Sequence, residues 1–430
     1  MSSLAQGTGE ATAVTTGTAA PAKGRTCRFC AAPLTRTFVD LGMSPLCESF
    51  VPAHALNQME PFYPLHAFLC ERCFLVQLDE YVTPDNIFTE YAYFSSYSDS
   101  WVEHARRYVE QMTERLALGA ESRVFEIASN DGYLLQHFVR KAIPVLGIEP
   151  AANVAKVAVA KGVPTVVRFF GVETATDLAR NPGPADLIVG NNVLAHVPDI
   201  NDFVGGMKVL LKPAGTITME FPHLVRLMEQ NQFDTIYHEH FSYLSLTTVQ
   251  RIFNAHGLRV YDVEEITTHG GSLRIYACHI DSTAPMSERA RALIRCEEEF
   301  GLNRVQTYAR FSAQVKETKR KLLAFLIEAK RQGRTIAGYG APGKGNTLLN
   351  YCGIRTDFVD YTVDRNPYKH GRFLPGTHIP IFAPDRIRET RPDFVLILPW
   401  NLKDEITAQL AYIREWGGQF VVPIPEVEVF

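Results

Sequence analysis

Between Phe233 and Ser245 the sequence runs FDTIYHEHFSYLS, so Tyr237, His238, Glu239, His240 and Tyr243 sit in an otherwise apolar stretch. A core segment would not choose these side chains, because buried polar groups need partners. A solvated loop would carry fewer aromatics. The stretch reads as a lining for chemistry, with an imidazole able to take or give a proton near neutral pH. In an extended segment His238 and His240 share one face, and Tyr237 and Glu239 the other, so only one pair meets a ligand unless the chain bends. Three plainer readings stand beside this. The histidines could form a metal pair, but no third ligand accompanies them. Glu239 could be a salt-bridge residue, and Tyr243 a packing residue.

A second set of reactive residues lies near the front. Four of the eight cysteines form two hooks, CRFC (Cys27, Cys30) and CERC (Cys70, Cys73). Each C-x-x-C spacing lets two thiolates reach one tetrahedral ion, so the pair of hooks predicts a zinc ribbon. Four sulfurs close the coordination shell. The expected zinc is therefore structural, and Cys47 is expected to be a core residue.

The elements that position these residues follow a strand-helix alternation. Val124 to Ile127 reads as a strand, ASNDG as a small-residue loop, Tyr133 to Arg140 as a helix and Val145 to Ile148 as the next strand. Glu149 then sits at the strand tip where a doubly wound fold holds ribose hydroxyls. A helix over KVAVAKG and a third strand over PTVVRFF follow. The fourth strand ends at Asn191 and Asn192, with His196 just beyond, and a helix leads into the fifth. The alternation implies a parallel sheet in an α/β protein. The FDTIYHEHFSYLS stretch falls beyond the strands' carboxyl ends, where such sheets bind ligands.

Bulk properties exclude several classes. The chain has 430 residues, enough for two to four domains, and a formal net charge of −4, which argues against nucleic acid as a partner. No apolar run is long enough to span a membrane, and the N-terminus does not read as a signal peptide. Residues 1–24, rich in Ala, Thr and Gly, are expected to be a disordered leader. A cytoplasmic setting is the default expectation.

The order of features in the middle of the chain resembles a class I S-adenosylmethionine-dependent methyltransferase. A strand carries Glu126, a loop holds Gly132, a second acid ends the next strand, and LLKPAGT leads into strand five. The sequence departs from that pattern in its loop, which has one glycine where two or three are usual; Ala128 and Ser129 take the other small positions. A Rossmann-like dehydrogenase is the alternative for this domain. The resemblance implies cofactor contacts from Glu126, Ala128, Asn130, Gly132, Glu149, Phe170, Asn191 and Asn192.

IYHEHFSYLS, NNVLAHVPD and HGGSLR, with two C-x-x-C hooks ahead of them, are similar to one narrower family. These are the sugar C-methyltransferases that act on dTDP-linked 4-keto-6-deoxy sugars, with or without a 3-amino group, in antibiotic deoxysugar pathways. The resemblance spans residues 26–430. It implies that C-3 loses a proton to a base and that the enolate takes the methyl group. Such a weak carbon acid needs a base close by and a partner for the enolate oxygen. His240 is the first candidate for the base, with His196 and His238 as alternatives. Glu239 or Tyr237 would orient the imidazole or donate to the oxygen, His196 could hold the keto group, and Tyr91 resembles the family's substrate-side tyrosine. The plainer reading of His196 is a capping or core histidine.

A second nucleotide-shaped unit closes the chain. Gly338-x-Gly340-x-x-Gly343 follows a short strand and opens a helix, and Asp364 ends the next strand. Alone this is a dinucleotide fingerprint, and it supports the alternative of an NAD-dependent sugar-nucleotide oxidoreductase. The basic loop content weighs against that, and the resemblance implies that this domain helps hold the sugar nucleotide. Ser272, Arg274, Tyr339, Gly340, Lys344, Asn346, Arg365 and Lys369 are the candidate substrate-binding residues; the plainer reading of YKHGRFLPG is a solvated basic loop. An N- or O-methyltransferase of the same substrates is a nearer rival. The expected architecture is therefore a leader (1–24), a zinc-binding lobe (25–85), a methyltransferase domain (86–284) and a C-terminal Rossmann-like domain (285–430). The sugar nucleotide would lie between the last two, with the oligomeric state left open, a monomer included.

Overall fold

A computed structural model describes residues 24–83 and 94–430. The expected leader, apart from Gly24, and Tyr91 lie outside the described residues. The N-terminal lobe contains β1 (Arg36–Ser44), β2 (Val51–Pro52), β3 (Tyr63–Leu69) and β4 (Val76–Leu78). The middle region contains β5 (Val124–Ile127), β6 (Val145–Ile148), β7 (Thr165–Val166), β8 (Ala185–Asn191), β9 (Leu211–Pro222), β10 (Ser242–Tyr243), β11 (Leu258–Ile266) and β12 (Ser272–His279).

Seven of these strands form one sheet in the order β11-β12-β9-β8-β5-β6-β7. Strands β5 to β9 run parallel; β12 inserts antiparallel between β9 and β11. The order reverses between β5 and β8, so their carboxyl ends open the crevice where such sheets take ligands. With its final strand wedged between the fifth and sixth, this is the class I methyltransferase topology that the sequence resembles.

Two local expectations are corrected. The third strand shrinks from PTVVRFF to Thr165–Val166, because it is the sheet edge and the chain turns outward, leaving Val167 and Phe169 exposed. The helix after the small-residue loop is Leu135–Val139, shorter than Tyr133 to Arg140.

Strand β10 leaves this sheet altogether. It pairs antiparallel with β4 and completes the lobe's sheet, ordered β1-β3-β4-β10. The residues just before it, the Tyr-His-Glu-His run, are thereby pinned between lobe and methyltransferase sheet.

The helix Phe311–Arg331 bridges to the last domain, burying Val315, Thr318, Leu322, Leu326 and Ala329 along one helical stripe. There β13 (Ile336–Tyr339), β14 (Tyr361–Val363), β15 (Arg372–Phe373), β16 (Ile381–Phe382), β17 (Phe394–Ile397), β18 (Gln419–Val422) and β19 (Glu428–Val429) follow. Six of them form a sheet ordered β16-β14-β13-β17-β18-β19, while β15 pairs with β2 of the lobe. The lobe serves two cores. Its Phe38 stacks on Phe311 at 4.7 Å and shares a cluster with Ile336 and Leu396. Its Leu34, Phe68 and Leu75 pack with Phe221, Leu244 and Val249 of the methyltransferase domain. Among the described residues, no helix is long and apolar enough to cross a membrane.

Candidate active site

The two cysteine hooks fold as matching knuckles. Ala31 N donates to the Cys27 carbonyl and Phe74 N to the Cys70 carbonyl, both at 2.9 Å. Ala31 and Phe74 both take left-handed conformations, with φ of 56° and 62°. The four Sγ atoms lie within 4.8 Å of one another, and the Cys27–Cys73 and Cys30–Cys70 pairs are 3.5 Å apart. A tetrahedral zinc places its sulfurs about 3.8 Å apart, so the set fits the ion. Gln77 Nε2 donates to Cys27 Sγ at 3.2 Å, the kind of outer contact that orients a metal-bound thiolate. Cys47 stands apart from the four, as expected.

At the crevice, the loop after β5 has one glycine yet still makes its turn. Ala128 and Asn130 adopt φ of 56° and 49°, strain of about 1–3 kcal/mol each that the surrounding hydrogen bonds must hold. Gly132, at φ 77°, is required: a Cβ there would stand 3.0 Å from Val163. Glu149 at the tip of β6 accepts from Asn130 N and Ala151 N, each at 2.9 Å. Asn130 Oδ1 in turn accepts from Ser95 N at 2.9 Å, tying the 3-10 turn Ser95–Tyr97 over the loop. Phe170 lies half-buried at the crevice wall, edge-on to Phe203 at 5.4 Å.

Among the described residues, four buried acceptor oxygens around β5 and β8 have no donor: Glu126 Oε2, Asp131 Oδ1, Asn191 Oδ1 and Asn192 Oδ1. Burial first, then the charges of Glu149 and Asp131, push the Glu126 carboxyl well above the usual range. A pocket short of donors and crowded with acids suits a ligand that brings an ammonium group, hydroxyls and positive charge.

The Tyr-His-Glu-His run bends. His240 N donates to the Tyr237 carbonyl at 2.9 Å, closing a tight turn. This brings Tyr237 and His240 together, with ring centroids 4.1 Å apart, and sets His240 4.6 Å from His196 and 6.3 Å from Tyr243. His238 turns the other way, toward the Pro64 carbonyl at 3.3 Å and the edge of Tyr63. The shared face expected for His238 and His240 is therefore absent, and so is the metal pair.

His240 Nδ1 donates to the Thr235 carbonyl at 2.9 Å, leaving Nε2 as the lone-pair nitrogen. Burial, and next the neighbouring His196, hold this imidazole well below its ordinary pKa, so it is neutral at pH 7. His196 donates to the Glu239 carbonyl and is likewise lowered by burial. The Glu239 carboxyl points into the lobe, where Cys47 Sγ donates to it at 3.8 Å. Burial, then Glu48, push it up to about 8. Glu239 does not orient His240; the Thr235 carbonyl does.

The candidate substrate residues divide. Arg274 is buried in an ion-pair network, 2.7 Å from Glu220 and 3.0 Å from Glu264, with its guanidinium over Tyr108. Ser272 donates to the Thr268 carbonyl, and Asn346 is only 1% exposed and donates to the Cys47 carbonyl. Tyr339 donates to Gln409 at 3.1 Å. Ser272, Arg274 and Tyr339 thus spend these donors inside the protein, while Asn346 Oδ1 is buried without a donor. Gly340, with φ 87°, lets Pro399 approach, and Arg365 is exposed near Glu405. Lys369 donates to the Ala341 carbonyl at 2.8 Å.

Lys344 differs from these. Its Nζ donates to Asn401 Oδ1 at 2.7 Å and lies 4.9 Å over the Trp400 ring. Trp400 Nε1 donates to Asp234 Oδ2 at 2.7 Å, within the turn that leads to His240. Burial raises the Asp234 carboxyl to about 6 against the opposing pull of Lys344. The C-terminal domain thus delivers a cation to the histidine side of the crevice.

Sequence reasoning missed Trp101, Asp234 and His269, and gave Asn401 no role. His269, at φ 54°, accepts from Asn192 Nδ2 at 3.0 Å and meets Trp101 edge-on at 5.4 Å. The glycines after it were a usable clue: a Cβ on Gly270 would stand 2.8 Å from Trp400, so the two domains touch there.

Comparison with known proteins agrees with this layout. A zinc binding domain model matches residues 27–88, a methyltransferase domain model residues 101–263, and a C-methyltransferase C-terminal domain model residues 267–425. The chain is 35% identical over 403 residues to the C-methyltransferase NovU of Streptomyces niveus, covering 94% of this chain and 96% of that protein. A ubiquinone biosynthesis O-methyltransferase of Xanthomonas euvesicatoria is 31% identical over 111 residues, 25% of this chain and 46% of that one. Among solved structures, a S-adenosylmethionine-dependent methyltransferase from Clostridium acetobutylicum is 10% identical, covers 41% of this chain and 92% of its own, and has a TM-score of 0.34.

Proposed function

The chain belongs to the C-methyltransferase family, as a S-adenosylmethionine-dependent enzyme with a structural zinc, and on that premise we propose that it methylates C-3 of a dTDP-linked 4-keto-6-deoxy sugar. The observation that carries the reading is His240: a neutral imidazole with its Nδ1 proton held by Thr235, beside His196 and Tyr237. A carbon next to a ketone is a weak acid and needs a base held this close together with a partner for the enolate oxygen, whereas an N–H or O–H substrate needs less.

In this reading His240 Nε2 takes the C-3 proton. The electron pair moves into the ring ketone as an enolate, whose C-3 then forms the new bond to the methyl carbon. When bound, S-adenosylmethionine would supply that methyl from its sulfonium centre, with the thioether as the leaving group. Tyr237 stands beside the base and is proposed to hold the keto oxygen as charge grows on it, while His196, whose ring proton goes to the Glu239 carbonyl, packs against the base. Glu126, Asp131, Glu149, Asn191 and Asn192 are the proposed cofactor residues, since their acceptors suit its ammonium and ribose groups. Lys344, with the basic loop around Lys369, faces the diphosphate. A cytoplasmic setting, where thiols stay reduced for zinc, completes the proposal.

The NAD alternative lacks support. Gly343 N, which a pyrophosphate would need, is taken by Glu48 of the lobe.

The test is deuterium exchange at C-3. With the sugar nucleotide in D₂O plus S-adenosylhomocysteine, wild-type protein incorporates deuterium and His240→Asn does not. Uptake that persists in the variant moves the base to another group, and no uptake in wild type removes the substrate class.

A further inference from the structure

We propose that Arg28, inside the first cysteine hook, is a positioning residue that sets the two cleft histidines against each other; this rests on the enolate reading above. Pro198 lies two residues after His196, and Phe241 directly follows His240. Arg28 touches both. Its Nη1 donates to the Pro198 carbonyl at 2.7 Å, and its guanidinium lies 5.3 Å from the centre of the Phe241 ring. Its Nη2 donates to the carbonyl of Leu78, the last residue of β4.

The backbone closes a circuit around these contacts. Leu78 N donates to the Phe241 carbonyl at 3.0 Å, and Phe241 N donates to the Ala195 carbonyl at 2.8 Å. Ala195 immediately precedes His196. The path from His196 to His240 therefore runs through Phe241, Leu78, Arg28 and Pro198 and back. A guanidinium is a rigid fork, so it fixes the spacing of the two carbonyls it bonds; an ammonium on a flexible stem does not.

Arg28 is itself held by the hook. Its N–H donates to Gln77 Oε1 at 2.9 Å, and Gln77 Nε2 donates to Cys27 Sγ. Its carbonyl accepts from Asn201 Nδ2 at 3.0 Å, on the helix Ile200–Leu210 just past His196. Among the described residues, Arg28 forms no salt bridge; its Nη1 goes to the Pro198 carbonyl behind His196, and its Nη2 to Leu78, whose own N–H bonds the Phe241 carbonyl after His240. A hook that only folded its own lobe would not need such a cation.

The experiment compares wild type, Arg28→Lys and Arg28→Ala as full-length zinc-loaded protein. Zinc content, melting temperature and S-adenosylmethionine affinity report folding; kcat and KM on the sugar nucleotide report chemistry; imidazole NMR signals of His196 and His240, with His378 as control, report geometry. We expect full zinc content, cofactor Kd and substrate KM within about twofold, and kcat lower by about tenfold to a hundredfold, the scale of a small misplacement of reacting groups. Guanidinium ion added to Arg28→Ala recovers part of kcat, and ammonium does not. The His196 and His240 signals shift while His378 stays. The proposal is overturned by wild-type kcat with unmoved signals in Arg28→Ala. It is equally overturned by a kcat loss that only tracks zinc loss and ignores guanidinium. If wild type itself leaves C-3 untouched, the substrate reading falls, and the imidazole signals still decide on Arg28.

Discussion

Two loops in this molecule occupy the same topological place, each following the first strand of a parallel sheet. Both are held by the acid at the tip of the second strand. Glu149 accepts from Asn130 N at 2.9 Å, and Asp364 accepts from Ala341 N at 2.7 Å. Around the first loop, acceptor oxygens outnumber donors and are left unpaired in the interior. Around the second lie Lys344 and Lys369, and a carboxylate from another lobe sits at the helix start. One topology serves opposite electrostatics. A glycine pattern describes how closely the backbone can approach; the charges beside it decide what approaches.

The sharpest way to break this contrast is Glu149→Gln. It should weaken S-adenosylmethionine binding by about tenfold to a hundredfold, as loss of charge-assisted hydrogen bonds does, and leave sugar-nucleotide affinity unchanged. Calorimetry with each ligand separately checks it; equal losses for both would mean that the loops do not divide the ligands.

Lys344→Met is the mirror experiment. Sugar-nucleotide KM should rise about tenfold, with cofactor affinity untouched. A rise in cofactor Kd instead would place the lysine on the other ligand.

Glu239, buried against Cys47 of the lobe, has a pKa of about 8, above that of an unfolded carboxyl. A raised carboxyl favours the protonated folded state, so its stabilising effect is full at acid pH and fades as pH rises through about 8. If the neutral form is the working one, kcat should fall about fourfold from pH 7 to 8.5. Glu239→Gln should abolish that limb and flatten the fall in melting temperature between about pH 4.5 and 8; a pH profile identical to wild type would exclude Glu239 as its source.

The smallest expected change is at Glu48. Removing its charge from the start of the helix Gly343–Cys352 with Glu48→Gln should tighten sugar-nucleotide binding by about twofold at low salt, following the size of helix-terminus effects. Weaker binding would make Glu48 a ligand-holding group and not a competitor.

The repeating parts of the fold were readable in advance. Strand-helix alternation and the C-x-x-C spacing act over short distances, so Glu149, Asn191 and the four cysteines could be located from sequence. The bend at Tyr237–His240 was not readable, because alternation assumes an extended chain and the turn is held by the lobe through β10. The HGGSLR motif likewise does not show that Arg274 pairs with Glu220 and Glu264, which come from neighbouring strands. Trp400 and Asp234 are 166 residues apart, and no local pattern joins them.

The pairing of β10 with β4 also bears on how the chain is made. The ribosome releases the two cysteine hooks early, yet the strand that closes their sheet is more than a hundred and fifty residues further on. Such a long closure is slow, and until it happens β4 presents a bare edge to other nascent chains. Ion uptake by the hooks can fix the lobe's turns during that wait but leaves the edge uncovered. The covering strand arrives only with the histidine turn attached to it, so completion of the lobe and assembly of that turn are one event in biosynthesis.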